Sequence, residues 1–506
     1  MRRVLLAVAA VAVLVPASAQ AADRFNSAPY RKAVTVPNML QHEYKLQQFA
    51  DQNGGTRVAG SPANDKTANY IASTMRSAGW KVKKQPFEFP FFQELSDPTF
   101  ELTAPTPRVF ANPDEFVTMD FSGSGDVNGA IVPVDVVVPI GDSPPSTSTS
   151  GCEATDFVDF PAGAIALLQR GTCTFGVKVQ NAQTAGAVGA IVFNEGQQPD
   201  RFGVVAGTLG GPTSVPVVAT SYTIGADLVA QYRDGAAPAA HIKTETLSET
   251  RTTNNVIADS PFGDPSRTVV VSAHNDSVGA GPGINDDGSG TSMDLELAKN
   301  LGKAGKFPTN HVRFLWVGAE EEGLLGSNYY VSQLTDAQKL KIIAMLDFDM
   351  VASPNYARQV YDGDGSTFTD SPGPGGSGFI ESLFNDFFGS QDQATEPIPF
   401  DGRSDYVAFT NAGIPAGGIF TGAEKIKTAE EQALFGGTAG QPLDPCYHQA
   451  CDTVNNLNLK AFGEMKDAAA DVVFQLSLIQ GPIRDGRPVN PHSLRNPAFK
   501  GETALR

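Results

Sequence analysis

Thr268-Val269-Val270-Val271-Ser272 leads directly into Ala273-His274-Asn275-Asp276-Ser277. A nearly continuous apolar run of this length reads as a strand covered on both faces of a sheet, because neither face must offer polar side chains to water. Working outward, Met293–Leu301 has helical spacing, Val312-Arg313-Phe314-Leu315-Trp316 reads as a strand, and Ile342–Leu346 opens another. Strands alternating with helices predict an α/β fold, here a three-layer α/β/α sandwich around a mixed, mostly parallel sheet. Toward the N-terminus, Leu40–Phe49 has apolar residues at helical spacing. The turn-rich Gly54-Gly55-Thr56-Arg57 follows, then a helix from about Asn64 to Ala78 and a strand from Trp80 to Phe87.

Residues 95–245 have another texture. Short apolar strands dominate, as in Gly129–Val134 and Ala164–Leu168, and a short helix from about Val177 to Ala185 feeds Ala187–Phe193. Asp142–Ser150, rich in Ser, Thr and Pro, is expected to be an exposed loop. No acid, base and nucleophile fall together in this region. Lys178 is expected to lay its stem along a helix and keep its ammonium in water.

The whole chain sets bounds on function. At 506 residues, two or three domains are expected. Arg2 and Arg3 precede an apolar run from Val4 to Val15, then small residues around Ala17, Ala19 and Ala21. That is the pattern of a secretory signal peptide over 1–21, too short to span a bilayer. An exported product with no membrane attachment after cleavage is therefore expected, in a setting that permits disulfides. Four cysteines stand as two local groups, Cys152 with Cys173 and Cys446 with Cys451, which suggests two local bridges. The formal net charge of −18 makes nucleic acid an unsuitable partner. The tail beyond Arg484 is rich in Pro, Arg, Asn and Ser, and a flexible segment is expected over 483–506.

The chemistry-bearing residues sit where the strands end. His274 closes the first strand, and Asp286 follows in Gly283-Ile284-Asn285-Asp286-Asp287-Gly288-Ser289-Gly290. Glu320, Glu321 and Glu322 follow the Val312–Val317 strand, Asp347 and Asp349 end the next, and His448 lies between the two close cysteines. Side chains at the carboxyl ends of neighbouring strands converge on one crevice in an α/β sheet. Imidazoles combined with carboxylates suit zinc. Each feature alone also reads as an ordinary loop residue, or as acids favoured at a helix start. Four of them in order at successive strand ends point to a metallohydrolase. Gly288-Ser289-Gly290 is not a G-x-S-x-G elbow, which argues against serine hydrolysis.

Longer stretches carry a resemblance. Ala273–Ser277, Gly281–Gly290, Gly318–Ser327, Asp347–Met350, Gly402–Asp405 and Cys446–Asp452 resemble the secreted bacterial leucine-type aminopeptidases of the co-catalytic di-zinc peptidase family. The resemblance spans roughly residues 35–90 and 250–480. It implies two zinc ions, His274 and Asp349 on one, Glu321 and His448 on the other, and Asp286 bridging them. It also implies Glu320 as general base, with Arg403 and Tyr447 holding the peptide and Tyr447 supporting the oxyanion. Peptides with free N-termini are the implied substrates, large hydrophobic N-terminal residues the implied preference, and a monomer the expected state. Calcium finds no support in the sequence. A glutaminyl cyclase or carboxypeptidase of the same fold is the nearer alternative, and a metal-free binding module the more distant one.

Arg170-Gly171-Thr172-Cys173-Thr174-Phe175, with Lys178, Ala182 and Ala185–Ala190, resembles the protease-associated (PA) domain found inserted in such peptidases. That domain is β-rich α/β and usually not catalytic, and a Cys152–Cys173 bridge fits it. The implied division is a catalytic domain over 35–109 and 246–482, interrupted by the PA domain over 110–245.

Overall fold

The computed structural model describes residues 25–140, 147–198, 201–303 and 307–484. The leader expected over 1–21, most of the expected tail and part of the Asp142–Ser150 loop lie outside them. Among the described residues the strands are β1 (Lys81–Ala104), β2 (Arg108–Val109), β3 (Phe116–Thr118), β4 (Gly125–Pro133), β5 (Ile165–Gln169), β6 (Gly189–Phe193) and β7 (Val217–Thr220). They continue as β8 (Ala239–Asp259), β9 (Asp264–His274), β10 (Asn310–Val317), β11 (Ile342–Asp347), β12 (Gln359–Tyr361), β13 (Glu396–Ile398) and β14 (Ala416–Phe420).

The apolar run of the opening stretch is β9, at the centre of the sheet. It pairs in parallel with β10 on one side and β11 on the other, and β11 pairs in parallel with β14. Antiparallel pairs of β8 with β10 and of β12 with β14 make the sheet mixed. Successive β9 side chains serve opposite faces. Val269 and Val271 join a core with Trp316, Met293, Phe384 and Phe474. Val270 joins a second core with Leu315, Met345 and Phe409. Helices cover both faces, so this half is the expected α/β/α sandwich.

The second helix begins at Pro62, two residues before its expected start. Ser61 caps it by accepting from the Asn64 N–H, and proline suits the first helical turn. β1 differs more. It runs on past Phe87 to Ala104, paired with β8 almost throughout. Among the described residues no strand pairs with its other edge from Lys81 to Glu94, and an edge strand tolerates the prolines that obscure a strand in the sequence.

β8 links the two halves. Its first residues pair with β4, and β4 through β7 form a small parallel sheet closed by antiparallel β3. Its last residues pair with β10. Cys152–Cys173 and Cys446–Cys451 are both disulfides. The expectation for Lys178 is corrected. It is fully buried, and its Nζ donates to the Ser150 carbonyl at 2.5 Å because the helix presents it inward under the Cys152 loop. Burial lowers its pKa to about 8. Among the described residues no helix is long and apolar enough to cross a membrane.

Candidate active site

Parallel β9, β10 and β11 end at the same sheet edge, which brings residues far apart in sequence together. His274 is the last residue of β9, Glu320 and Glu321 follow β10, and Asp349 follows β11. Asp286 reaches in from the kinked segment Ile284–Ser289, where the backbone at Asp286 and Asp287 leaves helical geometry before helix Gly290–Asn300. His448 comes from the loop closed by Cys446–Cys451. Asp286 stands between the histidines. Its Oδ1 is 3.1 Å from His274 Nε2, and its Oδ2 is 3.3 Å from His448 Nε2. Asp349 Oδ1 lies 3.8 Å from His274 Nε2, and Glu321 Oε2 lies 3.1 Å from His448 Nε2. Glu320 Oε2 is 3.9 Å from His274 Nε2, beyond hydrogen-bond range. The five expected ligands and Glu320 therefore share one centre.

A layer of buried polar groups holds this set. Asp287 accepts backbone N–H groups from His274, Gly290 and Met350 at 3.0, 2.8 and 3.2 Å. Asp276 accepts the Glu320 and Glu321 N–H groups and stands 3.6 Å from His274 Nδ1. Asp452 accepts the N–H groups of Asn285 and Asp286. Ser404 donates to Asp349 Oδ2 at 2.9 Å. Arg57, fully buried, donates to the carbonyls of Asn275, Pro282 and Gly283 and so ties the His274 loop to the Asp286 loop. Ala319, Met350 and His448 adopt φ of 56°, 53° and 55°, uncommon for residues with a Cβ. Each stands at or beside a proposed functional residue, where such conformations concentrate.

A cleft of about 310 Å³ opens onto the centre. Asp286, Glu320, Glu321, Asp349 and His448 line its polar part, and Phe368, Ile398, Phe420 and Leu443 contribute apolar wall. Arg403 and Tyr447 also line it. Arg403 makes two hydrogen bonds to Glu424 and a third to the Tyr447 hydroxyl at 3.1 Å. The Tyr447 ring stacks on His448 with centroids 3.9 Å apart.

Residues 255–473 match the model of peptidase family M28, and residues 127–228 match the PA domain. An aminopeptidase of Pseudomonas aeruginosa is 42% identical over 456 residues, covering 90% of this chain and 83% of the relative. The chain belongs to peptidase family M28. A probable leucine aminopeptidase 2 of Aspergillus fumigatus is 41% identical over 92% of this chain and 88% of the relative. Among solved structures, the aminopeptidase of Aneurinibacillus sp. strain AM-1 superposes with a TM-score of 0.65 at 26% identity, covering 92% of this chain and 98% of that one. A zinc aminopeptidase of Bacillus subtilis shares the fold, with a TM-score of 0.55 at 23% identity over 86% of this chain and 94% of that one. This chain is thus an M28 aminopeptidase with an inserted PA domain.

Zinc is the metal the M28 family implies, and the donor set fits it. Glu321 Oε1 and Asp349 Oδ1 are buried without a hydrogen-bond partner, a costly state for polar atoms unless a ligand satisfies them. Burial, with Asp286 nearby, raises Glu321 to about 7, and burial against the opposing pull of His274 raises Asp349 to about 6. Burial and the acids Glu321, Asp405 and Asp349 raise Glu320 well above the carboxylate range, against the pull of His274. Burial disfavours a charged His448, yet Glu321 and Asp286 raise it to about 11. Carboxylates crowded together out of water, with only two imidazoles among them, leave an excess of negative charge that a cation would balance. Asp287 also stands near His274 and Asp349, but its oxygens are occupied by backbone N–H groups, whereas Asp286 faces both histidines.

Asp276, Asp287, Asp452 and Arg57 as supports, and Glu424 as part of the cleft, carry no distinguishing signal in the motifs. Glu424 lies four residues past β14, which is parallel to β11, so the strand-end rule that found the ligands also reaches it.

Proposed function

We propose that this M28 aminopeptidase is exported, uses two zinc ions, and removes large hydrophobic residues from peptide N-termini. The observation that carries the two-metal reading is Asp286, with one carboxylate oxygen toward each histidine. His274 and Asp349 would hold one zinc, Glu321 and His448 the other, and Asp286 both. Zinc bound there supplies Lewis-acid polarisation of the scissile carbonyl and lowers the pKa of the attacking water.

The protein residues do the rest. Glu320 takes the proton from the attacking water and returns it to the leaving amine, as a general base then acid. Glu320 and Asp349 offer negative charge to the substrate ammonium, which favours exo action. Tyr447 donates to the oxyanion, and Arg403 orients Tyr447. Phe368, Ile398, Phe420 and Leu443 in the cleft wall support a hydrophobic first residue. The Arg2-Arg3 leader and two disulfides support export. We also propose that residues 35–109 and 246–482 form the catalytic unit, and that 110–245 governs access rather than chemistry.

The test pairs elemental analysis with cleavage of leucine p-nitroanilide and its N-acetyl derivative. Two zinc ions per chain, cleavage of the free substrate alone, and loss of activity on chelation are expected. Equal cleavage of the acetylated substrate, or activity without zinc, would contradict the reading.

A further inference from the structure

Glu424 follows β14 in a segment clamped to the loop that carries Tyr447. The Ala423 carbonyl accepts from the Asp444 N–H at 2.7 Å, and the Lys425 carbonyl accepts from the Leu443 N–H at 2.8 Å. These bonds flank Glu424 on both sides, two residues before Cys446 starts the His448 loop. The Glu424 carboxylate receives Arg403 with both oxygens, from Nη1 at 2.7 Å and Nη2 at 3.1 Å. The same Nη2 donates to the Tyr447 hydroxyl at 3.1 Å. With 58% of the Glu424 side chain and 37% of the Arg403 side chain exposed, the ion pair adds little to stability. Its geometry is nevertheless specific, since two parallel N–H···O bonds fix the plane of a guanidinium as a single contact would not.

An arginine can only donate, so the Tyr447 oxygen must accept from Arg403. Among the described residues no other hydrogen bond reaches that hydroxyl. Its proton is therefore free to point into the cleft. Resting on the proposed role of Tyr447, we propose that Glu424 is a positioning residue of the reaction. It holds Arg403 so that Arg403 fills the acceptor side of the Tyr447 hydroxyl and leaves its proton directed at the oxyanion. Glu424 acts through Arg403 and Tyr447 and touches no reacting atom.

The test measures kcat, KM and zinc content on leucine p-nitroanilide for Glu424→Ala, Glu424→Gln, Tyr447→Phe and the Glu424→Ala/Tyr447→Phe double variant. Misplacing a group that acts in the transition state lowers kcat, so Glu424→Ala should lose between about 10- and 100-fold with zinc retained and KM changed by less than about threefold. Glu424→Gln, which keeps the shape and one acceptor, should lose less. With Tyr447 already removed, losing Glu424 should cost no more than about twofold further, because the two act as one unit. Additive losses in the double variant would overturn the proposal. So would unchanged kcat in Glu424→Ala beside a depressed Tyr447→Phe, and that result would leave the site reading standing. An unaffected Tyr447→Phe would remove both. Should Glu424→Ala lose zinc, the near-isosteric Glu424→Gln decides: full zinc with unchanged kcat overturns the proposal.

Discussion

Glu320 and Glu321 are neighbours in the chain but face different partners. Glu321 Oε2 is 3.1 Å from His448 Nε2, whereas the nearest His274 nitrogen is 3.9 Å from Glu320. A ligand and a base should fail differently. Glu320→Gln keeps a similar shape but loses the proton acceptor, so zinc should remain while kcat falls by ~10²–10⁴-fold. Glu321→Gln should lose zinc. Elemental analysis beside steady-state kinetics separates the two, and the reverse pattern would exchange their roles. His274, Glu320, Glu321 and Asp349 were legible as candidates because they stand at strand ends, whereas Asp286 and His448 lie in loops and Arg403 and Tyr447 rested on the resemblance. Asp287, Asp276 and Asp452 were not legible as supports, since a carboxylate accepting backbone N–H groups looks in sequence like one held for a metal. Asp286 and Asp287 are adjacent and chemically identical, so composition and spacing do not sort them; the resemblance pointed to Asp286, and the backbone shows Asp287 occupied by N–H groups.

Among the elements, β9 was legible because burial on both faces leaves one apolar run. The long pairing of β1 with β8 was not. Prolines and charged residues interrupt β1, and its regularity comes from a partner some 150 residues away in the chain. Lys178 was misread for a related reason, as helical spacing does not show what lies over a helix. One clamp between elements has a pH signature. Asp259 of β8 accepts from Arg313 of β10 at 2.7 and 3.0 Å and meets His311 at 2.8 Å. Burial would raise its pKa, but His311 and Arg313 lower it to about 2 from 3.8. A depressed carboxylate stabilises fully above its unfolded value and loses that contribution as pH falls toward its folded value. At 1.36 kcal/mol per unit this is about 2 kcal/mol. The Tm gap between the protein and Asp259→Asn should accordingly be widest above pH 5 and close as pH approaches 2. A gap that stayed constant across that range would assign the loss to packing.

At the scale of the whole molecule, one sheet runs through both halves, with β8 as the strand they share. Phe87, Phe89 and Phe91 of β1 pack with Val58 and with Ala319, the residue before Glu320. The inner part of the β1–β8 pair thus backs the turn that carries Glu320, while the outer part carries the PA domain. Excision that joins Phe91 to its register partner Glu249 through a short turn keeps that backing. Such a variant should still turn over leucine p-nitroanilide, with kcat/KM on long peptides changing more. A folded, zinc-loaded variant inactive on the small substrate would place chemistry in the inserted domain. Asp286 as the carboxylate shared by two metals is the centre of the proposed mechanism. Anomalous diffraction at the zinc edge tests it directly. Two peaks are predicted, one beside His274 and Asp349 and the other beside Glu321 and His448, with Asp286 touching both; a single peak, or a pair that Asp286 does not join, would contradict it.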